Sequence, residues 1–146
     1  MEKLILGKFK TYSEYFNIGW KTIKDTIKMN LLSDAKIGTF LSGGIDSSTI
    51  TILAKQLNND VESFTTFYLP DKKFDKFNVD FKYSKRVAKD FNIKLNVKYV
   101  ETEKEFYNDF LKVTSYFDEP VSNLNFMNSY WQSKMAKENG AKVANE

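Results

Sequence analysis

Short apolar runs alternate with amphipathic stretches along this chain, and that alternation constrains its fold more than any other feature. Residues 37–41 are a mostly apolar run containing Thr39, residues 61–69 are rich in Phe, Thr and Tyr, and residues 93–100 place Ile93, Leu95, Val97 and Tyr99 at every second position. These have the length and side chains of strands. Between and around them the apolar period changes to three and four residues, the spacing of one helix face. Tyr12, Tyr15, Phe16, Gly19, Trp20, Ile23 and Ile27 predict a helix over 12–30. Ile50, Leu53, Ala54 and Leu57 predict one over 46–57, and Phe81, Ser84, Val87 or Ala88, and Phe91 predict the next. Phe106, Phe110 and Val113, with Tyr107 and Leu111 beside them, predict a helix over 103–114. Phe126, Met127, Tyr130, Trp131 and Met135 predict the last, with Gly140 at its C′ position. The aromatic faces of the first and last helices are expected to be core. Ser33-Asp34, Asn58-Asn59-Asp60, residues 70–80 and residues 115–123 read as breaks and loops, and 141–144 as the start of a fourth strand. The order α-β-α-β-α-β-α-α-(β) calls for right-handed crossovers and a parallel sheet with helices on both faces, an α/β fold. Ligands of such sheets bind beyond the carboxyl ends of the strands.

The 146 residues suffice for one domain with a real core. The chain has no Cys and no His, so thiolate nucleophiles, Cys-based zinc sites, Ser-His triads and His ligands are excluded. Any chemistry rests on carboxylates, hydroxyls, lysines, backbone amides and a borrowed metal ion. The net charge is +3, carried by Lys and the single Arg86 spread among acidic residues, and no clustered surface for nucleic acid is expected. No stretch approaches the roughly 20 apolar residues of a membrane span. Residues 1–10 carry only Leu4, Ile5 and Leu6 as an apolar patch, too short for a signal-peptide core, so a cytoplasmic setting is the expectation.

The loop after the first strand reads Leu41-Ser42-Gly43-Gly44-Ile45-Asp46-Ser47-Ser48. Two glycines allow a sharp turn and close approach of backbone to a ligand. The amides of residues 43–47 lead into a helix N-terminus, where unpaired N–H groups and the dipole favour an anion. Ser42, Ser47 and Ser48 can donate hydroxyl hydrogens to phosphate oxygens. Asp46 would repel a bare phosphate, but fits one that carries Mg²⁺. The simpler alternative is a plain βα turn with Asp46 or Ser47 as the helix N-cap. The segment is neither a Walker A loop nor a G-x-G-x-x-G fingerprint.

Ser42-Gly43-Gly44-Ile45-Asp46-Ser47 resembles the pyrophosphate-binding loop of the N-type ATP pyrophosphatases, the PP-loop superfamily. The wider run, residues 33–48, resembles glutamine-hydrolysing asparagine synthetases. Ser63-Phe64, Phe74-Asp75, Tyr83-Ser84, Val87-Ala88, Phe117-Asp118-Glu119-Pro120, and the helix with Tyr130, Ser133 and Ala136 follow in the family's order. The resemblance covers about residues 12–144. It implies an adenine nucleotide alpha hydrolase-like, Rossmann-like sheet, with residues 1–32 as an N-terminal segment and lead-in helix and 33–146 as a partial ATP-pyrophosphatase domain. It implies ATP and Mg²⁺ as cofactors, with ATP and aspartate as small-molecule ligands. The implied activity is that of an AMP-forming carbon–nitrogen ligase of asparagine biosynthesis. ATP activates the aspartate side-chain carboxylate as an acyl-adenylate, pyrophosphate leaves, and ammonia from a glutaminase (amidotransferase) domain displaces AMP. Carried onto this sequence, Ser42, Gly43, Gly44, Asp46 and Ser47 would hold pyrophosphate and its metal, with Asp46 facing the metal. Leu41 and Thr66 would lie beside the adenine through backbone groups. Asp118 and Glu119 would be acids near the substrate; alternatively they form a solvated turn with Pro120 at a first helical position.

The sequence departs from the family in several places. Phe67 stands where the family usually has a small residue, and the third strand lacks the His pair often found around residues 95–97. The family's second Ser-Gly-rich loop, its catalytic Lys and its glutaminase domain with a Cys nucleophile have no counterpart in these 146 residues. Two functional expectations follow. One is the ATP-binding core of an asparagine synthetase-like ligase, incomplete at the C-terminus and not competent alone. The other is a non-catalytic nucleotide- or anion-binding module that keeps only the first phosphate loop. tRNA thiolation fits less well, because those enzymes usually rely on Cys. NAD and GMP synthesis also fit less well, because residues 33–38 match asparagine synthetase better.

Overall fold

A computed structural model describes residues 11–32, 35–69, 75–101, 103–123 and 125–143 of the chain. The elements are α1 (Tyr12–Asn30), β1 (Lys36–Phe40), α2 (Ile45–Leu57), β2 (Glu62–Tyr68), α3 (Asp75–Asp90), β3 (Lys94–Val100), α4 (Glu103–Thr114), α5 (Asn125–Glu138) and β4 (Ala141–Val143). The expected break at Ser33-Asp34, residues 1–10 and the 70–74 part of the expected loop lie outside the described residues, as does Ala144.

The strands form one parallel sheet in the order β3-β2-β1-β4. The pairings Thr39↔Ser63 and Ser63↔Leu95 fix the faces, because side chains alternate along each strand. One face carries Ile37, Thr39, Leu41, Ser63, Thr65 and Phe67, and is covered by α2 and α3. Its apolar contacts are Leu41, Ala88 and Ile93 against Val87 and Leu95, and Leu53, Ala54 and Val61 against α1 through Ile27 and Trp20. The other face carries Phe64, Thr66, Tyr68 and Val100. It is covered by α5 and α4 through Met127, Trp131 and Val113 and through Ala136 with Ala141. Helices therefore cover both faces, as the alternation requires.

Between α2 and the sheet lies a buried hydroxyl chain. Thr51 Oγ1 donates to Thr39 Oγ1 at 3.0 Å, and Thr39 Oγ1 lies 2.8 Å from Ser63 Oγ. It ties the helix that follows the glycine loop to the two strands beneath it, with each hydroxyl satisfied as burial demands.

Two expectations change. The aromatic face of α1 is not all core: Ile27 is buried and Trp20 packs beside it, but Tyr12 is 86% and Phe16 59% exposed. The helix is held at its start by a capping box, with Glu14 N donating to Thr11 Oγ1 and Thr11 N to Glu14 Oε2, and at its end by packing on α2. The second correction concerns α3, which starts at Asp75, within the expected loop 70–80. Phe77 continues the four-residue step back from Phe81, so the apolar period reaches into the stretch expected to be a loop, and Asn78 bonds the backbone of Tyr68. On α5, Met127 and Trp131 are buried as expected, and Gly140 has φ +68° at the C′ position.

Candidate functional site

The glycine loop sits where β1 ends and α2 begins, at the carboxyl end of the sheet. Gly44 is the N-cap of α2 in extended conformation (φ −68°, ψ 163°) and no side chain caps the helix. Asp46 and Ser47 lie inside the first turn, so the alternative in which one of them is the N-cap is corrected. Ser48 N donates to Gly44 O at 3.0 Å and opens the helical ladder. By helix geometry the amides of Ile45, Asp46 and Ser47 precede that first bond and point out of the helix end. Ser42 Oγ lies 2.8 Å from Ser47 Oγ, and Gly44 N donates to Ser42 Oγ at 3.4 Å. Two hydroxyls and a set of amides thus lie together at the start of α2. A Cβ on Gly44 would meet only Ser42 Oγ, at 3.5 Å, so that side of the loop is open to a ligand.

Gly43 is constrained on the opposite side. Its φ is +90°, and a Cβ there would lie 2.5 Å from Asp80 O, 2.7 Å from Ser84 N and 2.8 Å from Tyr83 Cβ. Only glycine meets both conditions, so the loop rests directly on the backbone of α3. Sequence reasoning picked out Tyr83-Ser84 as a family block and Ser84 as part of a helix face, but missed their contact with Gly43, because it is made by backbone atoms of a different element.

Asp46 is exposed and bonds to no other described residue. Among the described residues no cluster of three or more acidic side chains could hold a metal ion. A lone exposed carboxylate at a helix start fits Mg²⁺ held mainly by phosphate and water, the usual mode for that ion, and does not fit an all-protein cage. Ser48 Oγ is buried without a hydrogen-bond partner.

Leu41 is fully buried, and its N–H donates to Phe64 O at 3.0 Å just past the end of β1. That bond fixes which way β2 faces. In a parallel ladder alternate residues turn both backbone groups to the same neighbour, so Phe64, Thr66 and Tyr68 address the β1 side. Phe64 is met there by Leu41. Tyr68 is met by Asn78, which accepts from Tyr68 N at 2.9 Å and donates to Tyr68 O at 2.6 Å. Thr66 lies between them, with N–H and C=O turned toward the gap beside the glycine loop. Its side chain turns the other way, where Thr66 Oγ1 accepts from Gln132 Nε2 at 3.4 Å.

Phe67 points to the α3 side, with its ring centroid 4.5 Å from that of Phe81 and 5.9 Å from that of Tyr99. It does not enter the Thr66 gap. Asp118 and Glu119 are exposed on the α4–α5 connection. Ring contacts Phe106–Trp131 and Phe110–Phe126 make α4 and α5 antiparallel, and Phe117 packs on Phe126. Trp131 meets Tyr68 at the end of β2, so Phe126, five residues earlier on α5, lies beyond the carboxyl ends, and the acidic turn lies there too. The turn is on the same end of the sheet as the glycine loop, but no hydrogen bond joins them. Pro120 lies outside any helix, five residues before α5, which corrects its alternative reading as a first helical position.

The most perturbed carboxyl lies elsewhere. Glu62 sits at the amino end of β2; burial pushes its pKa up, but hydrogen bonds from Lys36 (2.6 Å), Lys94 (2.8 Å) and Asn96 (3.0 Å) outweigh this and hold it at about 2. It borders a cavity of about 720 Å³ with Lys36, Lys55 and Asn59. That cavity is at the amino ends of the strands, the wrong end for ligand binding in this fold class. The Glu62 network is therefore structural.

A profile of the asparagine synthase family matches residues 21–144. The chain belongs to the asparagine synthase family. Asparagine synthetase [glutamine-hydrolyzing] 1 of Bacillus subtilis is 27% identical over 142 residues, covering 87% of this chain and 22% of that protein. The chain thus spans about a fifth of the length of that curated relative. Among solved structures, NH3-dependent NAD synthetase from Campylobacter jejuni superposes with a TM-score of 0.57 at 17% identity, over 85% of this chain and 55% of that one. NMN synthetase from Francisella tularensis gives 0.52 at 18%, over 84% and 50%. At these identities the two structures share the fold, and the family assignment rests on the sequence match. Among the described residues no helix is long and apolar enough to cross a membrane.

Proposed function

We propose that this chain is the ATP-binding core of an asparagine synthetase-like amide ligase. The observation that carries the reading is the pairing of two adjacent sites at the carboxyl end of the sheet. One is an anion cradle, made by the amides at the start of α2 with Ser42 and Ser47. The other is the gap where Thr66 presents one N–H and one C=O. A donor and acceptor side by side on a buried strand end match the acceptor and donor on the edge of an adenine base, and the cradle matches a triphosphate.

In this reading Ser42, Ser47 and the amides of residues 43–47 hold the β- and γ-phosphates, which leave together as pyrophosphate. Mg²⁺, when bound, would be held by Asp46 through the phosphates and would offset their charge. The chain's own groups do the rest by position. The cradle binds charge that grows on the leaving pyrophosphate, in a site already oriented for it. The aspartate side-chain carboxylate attacks the α-phosphorus, forming the acyl-adenylate as the bond to pyrophosphate breaks, and Asp118 and Glu119 are assigned to the substrate side. Ammonia, supplied by a glutaminase domain or chain, would then displace AMP. The steps assigned to this chain require neither His nor Cys, consistent with their absence.

Incubation of the chain with Mg-ATP, with and without aspartate, tests the reading by pyrophosphate release. Aspartate-dependent release would show a competent core. Mg-ATP binding without release would show a nucleotide-binding core that needs further parts of a ligase. Failure to bind either ATP or pyrophosphate would overturn the assignment.

A further inference from the structure

Helix α3 touches both halves of this nucleotide site with residues six positions apart. At one point Asn78 meets the end of β2. Its side-chain amide accepts from Tyr68 N and donates to Tyr68 O, the pair of bonds a neighbouring strand would make. Asn78 thus takes the place of β1 after β1 has ended, and it forms the far wall of the gap that Thr66 faces. At the other point Ser84 meets the glycine loop. It is fully buried, its Oγ donates back to Asp80 O at 3.1 Å, and its N lies 2.7 Å from where a Gly43 Cβ would be. The contact with the loop is through the Ser84 backbone, and its fully buried side chain has no spare space, so a larger side chain there must push α3 off its present seat. Phe81, between the two points, packs on Phe67 of β2 with ring centroids 4.5 Å apart and adds a third contact between helix and sheet.

We propose that α3 is a rigid spacer that sets the distance between the adenine gap and the phosphate cradle, with Asn78 and Ser84 as its positioning residues. Six residues of α-helix span about 9 Å, a length no loop of this composition would hold. This also gives Phe67 a role where the family usually has a small residue: it anchors the spacer. The proposal rests on the nucleotide reading above, and deepens it by assigning separate residues to separate parts of the ligand.

The test is a set of calorimetric titrations of the whole chain with Mg-pyrophosphate and with AMP. The variants are Asn78→Ala, Ser84→Val and Ser84→Ala, each first confirmed as folded by circular dichroism. Ser84→Val should lift the loop and weaken pyrophosphate binding by about 10- to 100-fold, the scale of an ångström-level misplacement, while leaving AMP within about threefold. Ser84→Ala should bind both as the parent does. Asn78→Ala should weaken AMP by about tenfold and leave pyrophosphate within about threefold. A merely structural role would lower both ligands together. Equal losses for the two ligands in Ser84→Val or Asn78→Ala, or no loss in those two when folded, would overturn the proposal. If Ser84→Val does not fold, Asn78→Ala decides alone. If the parent chain binds neither ligand, the nucleotide reading fails, and the spacer is judged on amide resonances. Ser84→Val must then shift Gly43 and Gly44 but not Thr66, and Asn78→Ala must shift Thr66 but not the glycines; any other pattern rejects it.

Discussion

Replacing Gly43 by alanine makes two demands on the loop at once. The residue has φ +90°, and an L-residue held at positive φ costs about 1–2 kcal/mol. The new methyl would also lie 2.5 Å from Asp80 O and 2.7 Å from Ser84 N. Both are backbone atoms of α3, so neither can swing aside as a side-chain tip would. Relieving such overpacking costs typically about 1–3 kcal/mol. Together the substitution should cost about 2–5 kcal/mol, a large share of the roughly 5–15 kcal/mol that keeps a domain folded. Gly44→Ala is the control. Its φ is −68° and its Cβ would meet only Ser42 Oγ, at 3.5 Å, so it should cost under about 1 kcal/mol even as a poorer N-cap. Urea unfolding followed by circular dichroism compares the two midpoints at equal slope. Equal stability of the two variants would refute the claim that the loop rests on α3 through Gly43.

Other outcomes follow from the same structure. Trp131 is 1% exposed, with Nε1 donating to Asp109 Oδ2 at 2.6 Å; Trp131→Ala should cost about 3–5 kcal/mol in urea unfolding. Glu62 has a folded pKa of about 2 against an ordinary 4.5. A depressed carboxyl stabilises the fold above its unfolded pKa, and that contribution is lost as pH falls from about 5 to 2. It is worth at most about 3 kcal/mol, less where the exposed lysine partners are screened. Glu62→Gln should therefore flatten the dependence of melting temperature on pH in that window, and an unchanged profile would show that the network contributes nothing. Asp46→Ala should remove the Mg²⁺ dependence of ATP affinity in calorimetry and lower the unfolding free energy from urea titration by no more than about 1 kcal/mol, because its side chain is exposed and acts on the fold only through the start of α2.

The alternating apolar pattern was enough to read the parallel sheet, because buried strands and one-sided helices leave strong periodic signals. The glycine loop was legible for a similar reason: its residue types answer to a local need for amides and turn freedom. The support beneath the loop was not legible. Asn78 acts through Tyr68, ten positions away, and Ser84 through Gly43 on another element. Ser84 shows in the sequence as part of a helix face, but which backbone it meets does not, and Asn78 carries no local signal of its partner. The first turns of α3 read as a loop because charged residues surround Phe77 and Val79, which masks the four-residue step from Phe77 to Phe81. The exposed start of α1 was misread because three- and four-residue spacing reports a helix, but not whether anything covers its face.

The central claim is that the glycine loop binds the phosphates of a nucleotide. Calorimetric titration of the whole chain with Mg-pyrophosphate, beside Ser42→Ala, tests it most directly. The account predicts saturable one-to-one binding to the parent chain, and binding weaker by about 10-fold or more when the Ser42 hydroxyl that faces Ser47 is removed. No heat of binding in the parent chain, or equal affinity in the variant, would contradict it.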